Sequence, residues 1–301
     1  MIDVQPILRK IQRALYNLRC KRVLDTAPLQ IRDNGVTILS MVCHRDMIMY
    51  LVAAKSFYRR LGFGSFVIID DGSLTPGDRE ILEYHLGLPR MIHKDVVSTL
   101  GCPKGGTWER LLKILDLTHS SYVIQLDADT LTLGSIEAVK NCVQENASFT
   151  LGTKEGQFFV SVTDAAESAQ KVPGTHLQDV AERSLRHLRG SESLKYVRGC
   201  SGFAGFAKGS ASREKAVEFS KQMTTLLSAR WSEWGSEQVT SNYIVANSSK
   251  AAVLPYPAYC AYRTDSSLEG VEFLHFLGSA RYERGVYSRL SRSIIDMLQH
   301  A

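Results

Sequence analysis

The sequence predicts an α/β protein built on a mostly parallel central sheet flanked by helices. Short apolar runs of strand character alternate with segments of helical period through the first half of the chain, the pattern of successive βαβ units. Two of those runs end in paired carboxylates, Ile68-Ile69-Asp70-Asp71 and Gln125-Leu126-Asp127-Ala128-Asp129. In open α/β sheets, ligands gather outside the carboxyl ends of the strands. With 301 residues and 44% hydrophobic content, the chain can bury one large core or two small ones.

Each element follows from local pattern. Residues 1–22 carry Ile7, Leu8, Ile11, Leu15 and Leu18 at helical spacing, which predicts a leading helix. A connector over residues 28–35 separates it from a first buried strand, Val36–Val42. Residues 46–60 return to helical spacing, with Gly62 and Gly64 just past the end as stop signals. Residues 66–69 form a second buried strand, and Thr75-Pro76 opens a short helix that runs to Leu86, with proline in its first turn. Residues 89–97 read as a third strand. Leu111, Leu112, Ile114 and Leu115 mark a helix over 107–117, and 122–126 is the strand before Asp127.

The second half is less regular. A polar loop and a helix near 176–189 occupy the stretch 153–195. Residues 197–207 are small and glycine-rich, which predicts that the backbone there closely approaches a ligand or another strand. Helices follow at 211–227 and 236–246, then a proline- and tyrosine-rich stretch at 253–262, a last strand or turn at 273–278, and a C-terminal helix from Val286.

Composition narrows the function. There is no internal repeat, and no apolar run approaches the ~20 residues of a membrane span. Residues 1–6 lack the apolar core of a secretory leader. Cys20, Cys43, Cys102, Cys142, Cys200 and Cys260 are scattered with no C-x-x-C pair, which predicts reduced thiols in a cytoplasmic protein over a disulfide framework or a zinc site. The formal charge of +5 is concentrated at the start, where Arg9, Lys10, Arg13, Arg19, Lys21 and Arg22 face Asp3 alone. A basic amphipathic helix of this kind either lies peripherally on the inner face of an anionic membrane or packs on the domain with a solvated basic face. No basic stripe interleaved with aromatics follows, so nucleic acid is not an expected partner.

The two carboxylate motifs carry the chemistry. In an extended segment, residues i and i+2 point to one side, so Asp127 and Asp129 project together from the end of a buried strand. Two hard oxygen ligands there can hold a divalent cation beside a phosphate; the same turn can also serve as a helix cap. Asp70-Asp71-Gly72-Ser73 repeats the arrangement one strand over, where a carboxylate can accept from ribose hydroxyls or a base edge, or cap the helix opened by Thr75-Pro76.

These motifs, in this order, resemble nucleotide-sugar glycosyltransferases of the GT-A fold. Gly105-Gly106-Thr107-Trp108-Glu109-Arg110, followed by Leu126-Asp127-Ala128-Asp129-Thr130, is similar to the arginine helix and metal motif of glycosyltransferase family 8. His275-Phe276-Leu277-Gly278-Ser279-Ala280-Arg281 resembles that family's H-F-x-G-x-x-K segment, with arginine in place of lysine and Tyr282-Glu283 in place of Pro-Trp. Asp70-Asp71-Gly72-Ser73 is closer to inverting family 2.

The resemblance implies that Asp127, Asp129 and His275 hold Mn²⁺ or Mg²⁺, with the backbone of Ala128 in the same turn. Arg281 and Gly278 would meet the donor diphosphate, Arg110 the phosphate or sugar hydroxyls, Ser40 and Val42 the base, and Asp70 or Asp71 the uridine. Ser201 and Gly202 would lie beside the donor sugar, where Cys200 replaces the family's asparagine. Glu237 would contact the sugar or, in an inverting enzyme, act as general base. Lys104 and His44 are further candidates, and Trp231, Trp234, Tyr256, Tyr259 and Tyr262 would wall an acceptor sugar or pack in the core. Residues 1–34 read as basic helix and connector, 35–282 as one domain (35–150 its nucleotide-binding half, 151–282 its acceptor half) and 283–301 as a C-terminal helix.

The implied function is metal-dependent transfer of a sugar from a UDP-sugar to a hydroxyl acceptor (a glycan, a lipid-linked acceptor or a small molecule), with retention, in glycan or polysaccharide synthesis. The alternatives are an inverting transferase using Glu237, or a sugar-nucleotide-binding or membrane-associated scaffold without turnover. A nucleotidyltransferase would need a glycine-rich signature and lysine near the first strand, where Ser40-Met41-Val42-Cys43-His44-Arg45 stands. An oxidoreductase would need G-x-G-x-x-G.

Overall fold

The computed structural model describes residues 5–265 and 267–300; the expected absence of a leader core rests largely on residues 1–4, which lie outside the described residues. The basic segment folds as α1 (Gln5–Cys20), followed by a 3-10 turn, Lys21–Asp25. Then β1 (Val36–Val42), α2 (Met47–Leu61), β2 (Ser65–Asp70), α3 (Pro76–Leu86), β3 (Arg90–His93), α4 (Trp108–Leu117) and β4 (Tyr122–Leu126) alternate as expected. Next come β5 (Thr130–Thr132), α5 (Glu137–Gln144), β6 (Ser148–Gly152), β7 (Val160–Ser161), α6 (Val162–Gln170), α7 (Leu177–Ser184), β8 (Lys195–Tyr196) and β9 (Gly199–Phe206). The chain ends with α8 (Arg213–Leu227), α9 (Ser236–Ala246), β10 (Ala251–Leu254), β11 (Tyr259–Ala261), β12 (Phe273–His275), a 3-10 segment over Gly278–Gly285 and α10 (Val286–Gln299).

Local chemistry sets these boundaries. Gly62 closes α2 in the left-handed conformation at φ 83°, which costs glycine nothing. At the start of α3, the Thr75 side chain accepts from the Asp78 amide at 3.2 Å while the Asp78 carboxylate accepts from the Thr75 amide at 2.8 Å, a reciprocal capping box.

Seven strands form the central sheet in the order β10-β6-β9-β4-β1-β2-β3. β9 alone runs against its neighbours, pairing antiparallel with both β4 and β6. Side chains alternate between the sheet's two faces. Ile38, Phe66, Ile68 and Ile124 join a core under α2 and α10, whereas Leu39, Val67, Ile69 and Val123 join a second core under α4, α8 and α9. Gly205 explains part of the glycine content of β9: a Cβ there would overlap the Phe149 ring of neighbouring β6.

A small second sheet, β11-β12-β5, positions the site. β12 runs antiparallel to β5 with His275 opposite Thr130, so a strand from near the chain's end is laid against the residue following Asp129.

Three expectations shift. The strand expected over 89–97 ends at His93 and gives way to a 3-10 turn, Lys94–Val96. The helix near 176–189 stops at Ser184. The stretch expected as loop contains α6, capped by Ser161 onto the Asp164 amide at 3.0 Å. Its buried face is Val162, Ala165, Ala166 and Ala169, too small to stand out as an apolar stripe.

Candidate active site

The end of β4 delivers Asp127 and Asp129 into a cleft of about 300 Å³, lined also by Met41, Val42, Asp46, Asp71, Thr107, Arg110 and Arg281. The turn between the two aspartates is held by backbone. The Asp127 amide donates to the Gly202 carbonyl at 2.9 Å, and the Phe276 amide donates to the Asp129 carbonyl at 2.8 Å. β9 and β12 thereby fix the turn from two sides. His275 Nε2 stands 3.1 Å from Asp129 Oδ1 and 3.9 Å from Asp127 Oδ2, and one atom from each of the three side chains lies within 4.8 Å of the other two. The imidazole packs closely on β9 because residue 202 is glycine: a Cβ there would overlap the ring. On the far side of the ring, Nδ1 lies 3.2 Å from Cys200 Sγ. The tautomer with Nδ1–H turned to the sulfur leaves the Nε2 lone pair facing the carboxylates.

Each carboxylate carries its own arginine. Arg110, in the first turn of α4, pairs with Asp127, and Arg281 pairs with Asp129 while its Nε donates to the Phe276 carbonyl at 3.2 Å. Arg110 also reaches Glu237 Oε1 at 3.5 Å, and Glu237 Oε2 accepts from Thr107 at 3.0 Å and Ser201 at 3.1 Å. Trp108 clamps α4 to α9 through its indole N–H, which donates to Ser236 at 2.8 Å. Thr107 is held at φ 73°, a conformation that a β-branched residue adopts only under strain.

The electrostatics follow from this packing. Burial alone would raise the Asp129 carboxyl, but His275 and Arg281 outweigh it and hold the group down at about 2. Burial raises the carboxyls of Asp127 and Glu237 against the pull of Arg110. The imidazole of His275 would be lowered by burial; Cys200 and Asp129 instead hold it well above its ordinary value.

No protein-family model and no curated protein matches this sequence. Solved structures do. An active-site mutant of LgtC aligns at TM-score 0.51 with 11% identity, over 87% of this chain and 95% of that one. The galactosyltransferase LgtC with donor and acceptor sugar analogs aligns at 0.49 with 10% identity over the same shares, and mouse xyloside xylosyltransferase 1 at 0.47 with 11% identity over 81% and 97%. The chain has the GT-A fold.

Within that GT-A framework, Asp127, Ala128, Asp129, His275, Arg110 and Arg281 come together at one sheet end, as does Val42 at the cleft wall. Ser201 and Gly202 lie immediately behind, Ser201 on Glu237 and Gly202 under His275. The other expected residues lie elsewhere. Ser40 is fully buried and donates to the Leu126 carbonyl at 2.6 Å, tying β1 to β4. Asp70 is buried too, paired with Arg79 and accepting from the Gly72 amide at 2.8 Å; only Asp71 of that turn reaches the cleft. Gly278 is exposed at φ 52°, where it starts the 3-10 segment that returns Arg281 to Asp129. His44 turns to Asp78 at 2.6 Å, and Lys104 is exposed on the loop before α4.

The tyrosine and tryptophan set divides. Trp231, Tyr259 and Tyr262 are core, Tyr256 is half-buried, and Trp234 is exposed beside His176. Two contributors had no signal in the sequence: the strained Thr107, and Cys200 as partner of the His275 ring. Both depend on contacts between distant segments.

Proposed function

We propose that the protein is a metal-dependent glycosyltransferase that moves a sugar from a UDP-sugar to a hydroxyl acceptor with retention of configuration. The observation that carries this reading is the convergence of Asp127, Asp129 and His275 in a cleft flanked by Arg110 and Arg281. Two carboxylates and one imidazole suit a small divalent cation, and the imidazole favours manganese over calcium. When bound, such a cation supplies positive charge where the diphosphate leaves.

The chain's own residues supply the rest. A diphosphate in the cleft offers Arg281 and Arg110 a bidentate partner in place of the single carboxylates they now hold. Asp71 stands where it can accept from a ribose hydroxyl, with Met41 and Val42 as the apolar edge for a base. Glu237, with both oxygens engaged, orients Arg110. That engagement also favours retention: an acceptor hydroxyl entering on the leaving-group side can pass its proton to a phosphate oxygen and needs no carboxylate of its own. The likeness of the arginine-helix, D-x-D and histidine segments to family 8 points the same way.

Inversion with Glu237 as base is the second reading, favoured by the burial that raises its carboxyl. Proton NMR of the product linkage separates the two outcomes.

The deciding experiment is calorimetric titration of UDP into the protein with Mn²⁺ and then with EDTA, followed by a panel of UDP-sugars and simple glycoside acceptors. Metal-dependent binding, lost in Asp129→Asn, is expected. Binding indifferent to EDTA removes the metal assignment, and binding without turnover on any acceptor favours a non-catalytic sugar-nucleotide binder. Arg281→Ala is expected to lower kcat by about 10²–10³ while Arg281→Lys keeps most of it; equal losses in both would remove Arg281 from charge stabilisation.

A further inference from the structure

Helix α1 packs on the protein with its less apolar side. Tyr16 and Cys20 are buried against α10, with Tyr16 stacked on Tyr287 at 4.6 Å and its hydroxyl 2.9 Å from Ser291, and Arg13 turns inward to Asp46 at 3.5 Å. The opposite side is the apolar one. Ile7, Leu8, Ile11, Leu15 and Leu18 fall on a single helical arc, and they are 57%, 46%, 52%, 43% and 72% exposed. A helix stabilised only by its own domain would turn this arc inward. Lys10 and Arg19 flank the arc on its two sides and Lys21 and Arg22 follow at its end, all exposed, and α1 contains no acidic residue. Among the described residues, Arg22 alone of these is paired, to Asp296 at 3.0 Å.

We propose that this face docks the protein onto an anionic lipid bilayer, with the five apolar side chains entering the interface and the basic rim meeting the headgroups. The chemistry selects this occupant. A continuous apolar stripe edged by cations on a helix of modest overall hydrophobicity matches an interfacial helix lying in the membrane plane. A second copy of the chain seated on the same face would bring two identical basic rims together, which repels. The face borders the cleft: Leu15 and Tyr16 share a hollow with Arg281 and Tyr282, and Asp46, the partner of Arg13, lines the cleft itself. Docking would therefore hold the cleft close to the bilayer surface.

The test is flotation of the full chain with phosphatidylcholine vesicles and with vesicles containing about one-third phosphatidylglycerol, for wild type, for Leu15→Ser/Leu18→Ser and for Lys10→Glu/Arg19→Glu. Wild type is expected to float with the anionic vesicles, more weakly at high salt and least with the neutral ones. Each double variant is expected to lose roughly tenfold or more of that partitioning. Because the altered side chains are exposed, melting temperature and UDP binding should stay unchanged, so this result stands or falls apart from the transferase reading. Failure of wild type to float would overturn the proposal, as would unchanged flotation of both variants. A dimer in sedimentation velocity that Leu15→Ser/Leu18→Ser splits, without vesicle binding, would overturn it in favour of a second copy.

Discussion

Gly202 shows how much of the site depends on one missing methyl group. His275 reaches Asp129 only because its ring can lie where a Cβ would otherwise stand. Gly202→Ala must push the ring off β9 or bend the strand, and overpacking of this kind costs about 1–3 kcal/mol. The expected outcome is a folded but less stable protein whose Mn²⁺ affinity falls at least as far as that of His275→Ala, measured by urea unfolding and calorimetry; undisturbed affinity would mean that His275 is not a ligand. Thr107 invites a different change. Thr107→Gly relieves a left-handed threonine, worth about 1 kcal/mol, but removes the hydroxyl on Glu237. Stability should hold or rise while affinity for UDP with Mn²⁺ falls, and a variant that loses stability with donor affinity intact would refute this account. The acidic and basic members of the site were legible as residue types in short motifs. Ser40, Asp70 and Gly278 show the limit. Strand parity tells which residues share a face, but a hydroxyl at a strand end can turn to a neighbouring strand's carbonyl, and a carboxylate can turn to a nearby arginine.

At the level of elements, the clearest boundaries were those set by local chemistry. β1 spans the expected residues, and α3 begins at Pro76 because the capping box and the proline act together. Thr75→Ala removes one half of that box and should cost about 1 kcal/mol by urea unfolding with an unchanged slope. No measurable loss would show that the Asp78 carboxylate caps the helix alone. β9 was less legible because an antiparallel strand at the middle of a parallel sheet has no local signature. Its glycines answer to Phe149 and His275, which lie far off in sequence. α6 stayed hidden behind its small alanine face. α1 was expected as an amphipathic helix, with its basic side either on a membrane or in solvent. The structure turns its apolar side outward, a choice made by Tyr16 and Cys20 finding α10.

Across the whole molecule, two buried bases predict how stability responds to pH. Burial, with Lys55 nearby, lowers the His85 imidazole from 6.5 to about 4, and burial lowers the Lys55 ammonium from 10.5 to about 8. Lys55 Nζ donates to Thr26 Oγ1 at 2.6 Å and the Ala27 carbonyl at 2.7 Å, anchoring the connector after α1. As pH falls below 6.5 the unfolded chain takes up a proton on His85 that the folded chain refuses until about 4. Stability therefore drops across that window and levels off below it. For Lys55 the unfolded chain keeps its proton up to 10.5 while the folded chain releases it near 8, so stability gains across that alkaline window. Urea unfolding of wild type and His85→Leu at pH 7 and pH 4.5 should show a smaller acid loss in the variant; equal losses would assign the acid limb to other groups. Only the site itself should respond to metal and nucleotide. Mn²⁺ with UDP at about 100 times Kd should add about 2.7 kcal/mol, read as a rise in melting temperature that EDTA removes.

His275 and Asp129 are 146 residues apart in sequence, and that separation has a kinetic meaning. The aspartate pair and its arginine helix belong to the early, locally connected part of the chain. The imidazole arrives only when β12 closes across β5, a contact that must overcome the entropy of a very long loop. An amino-terminal fragment that ends before Phe273 would keep both aspartates yet lack His275, the proposed third ligand, and Arg281. If the proposed site takes manganese, the appearance of its signal during refolding would thus mark the β5–β12 pairing rather than collapse of the β1–β4 sheet.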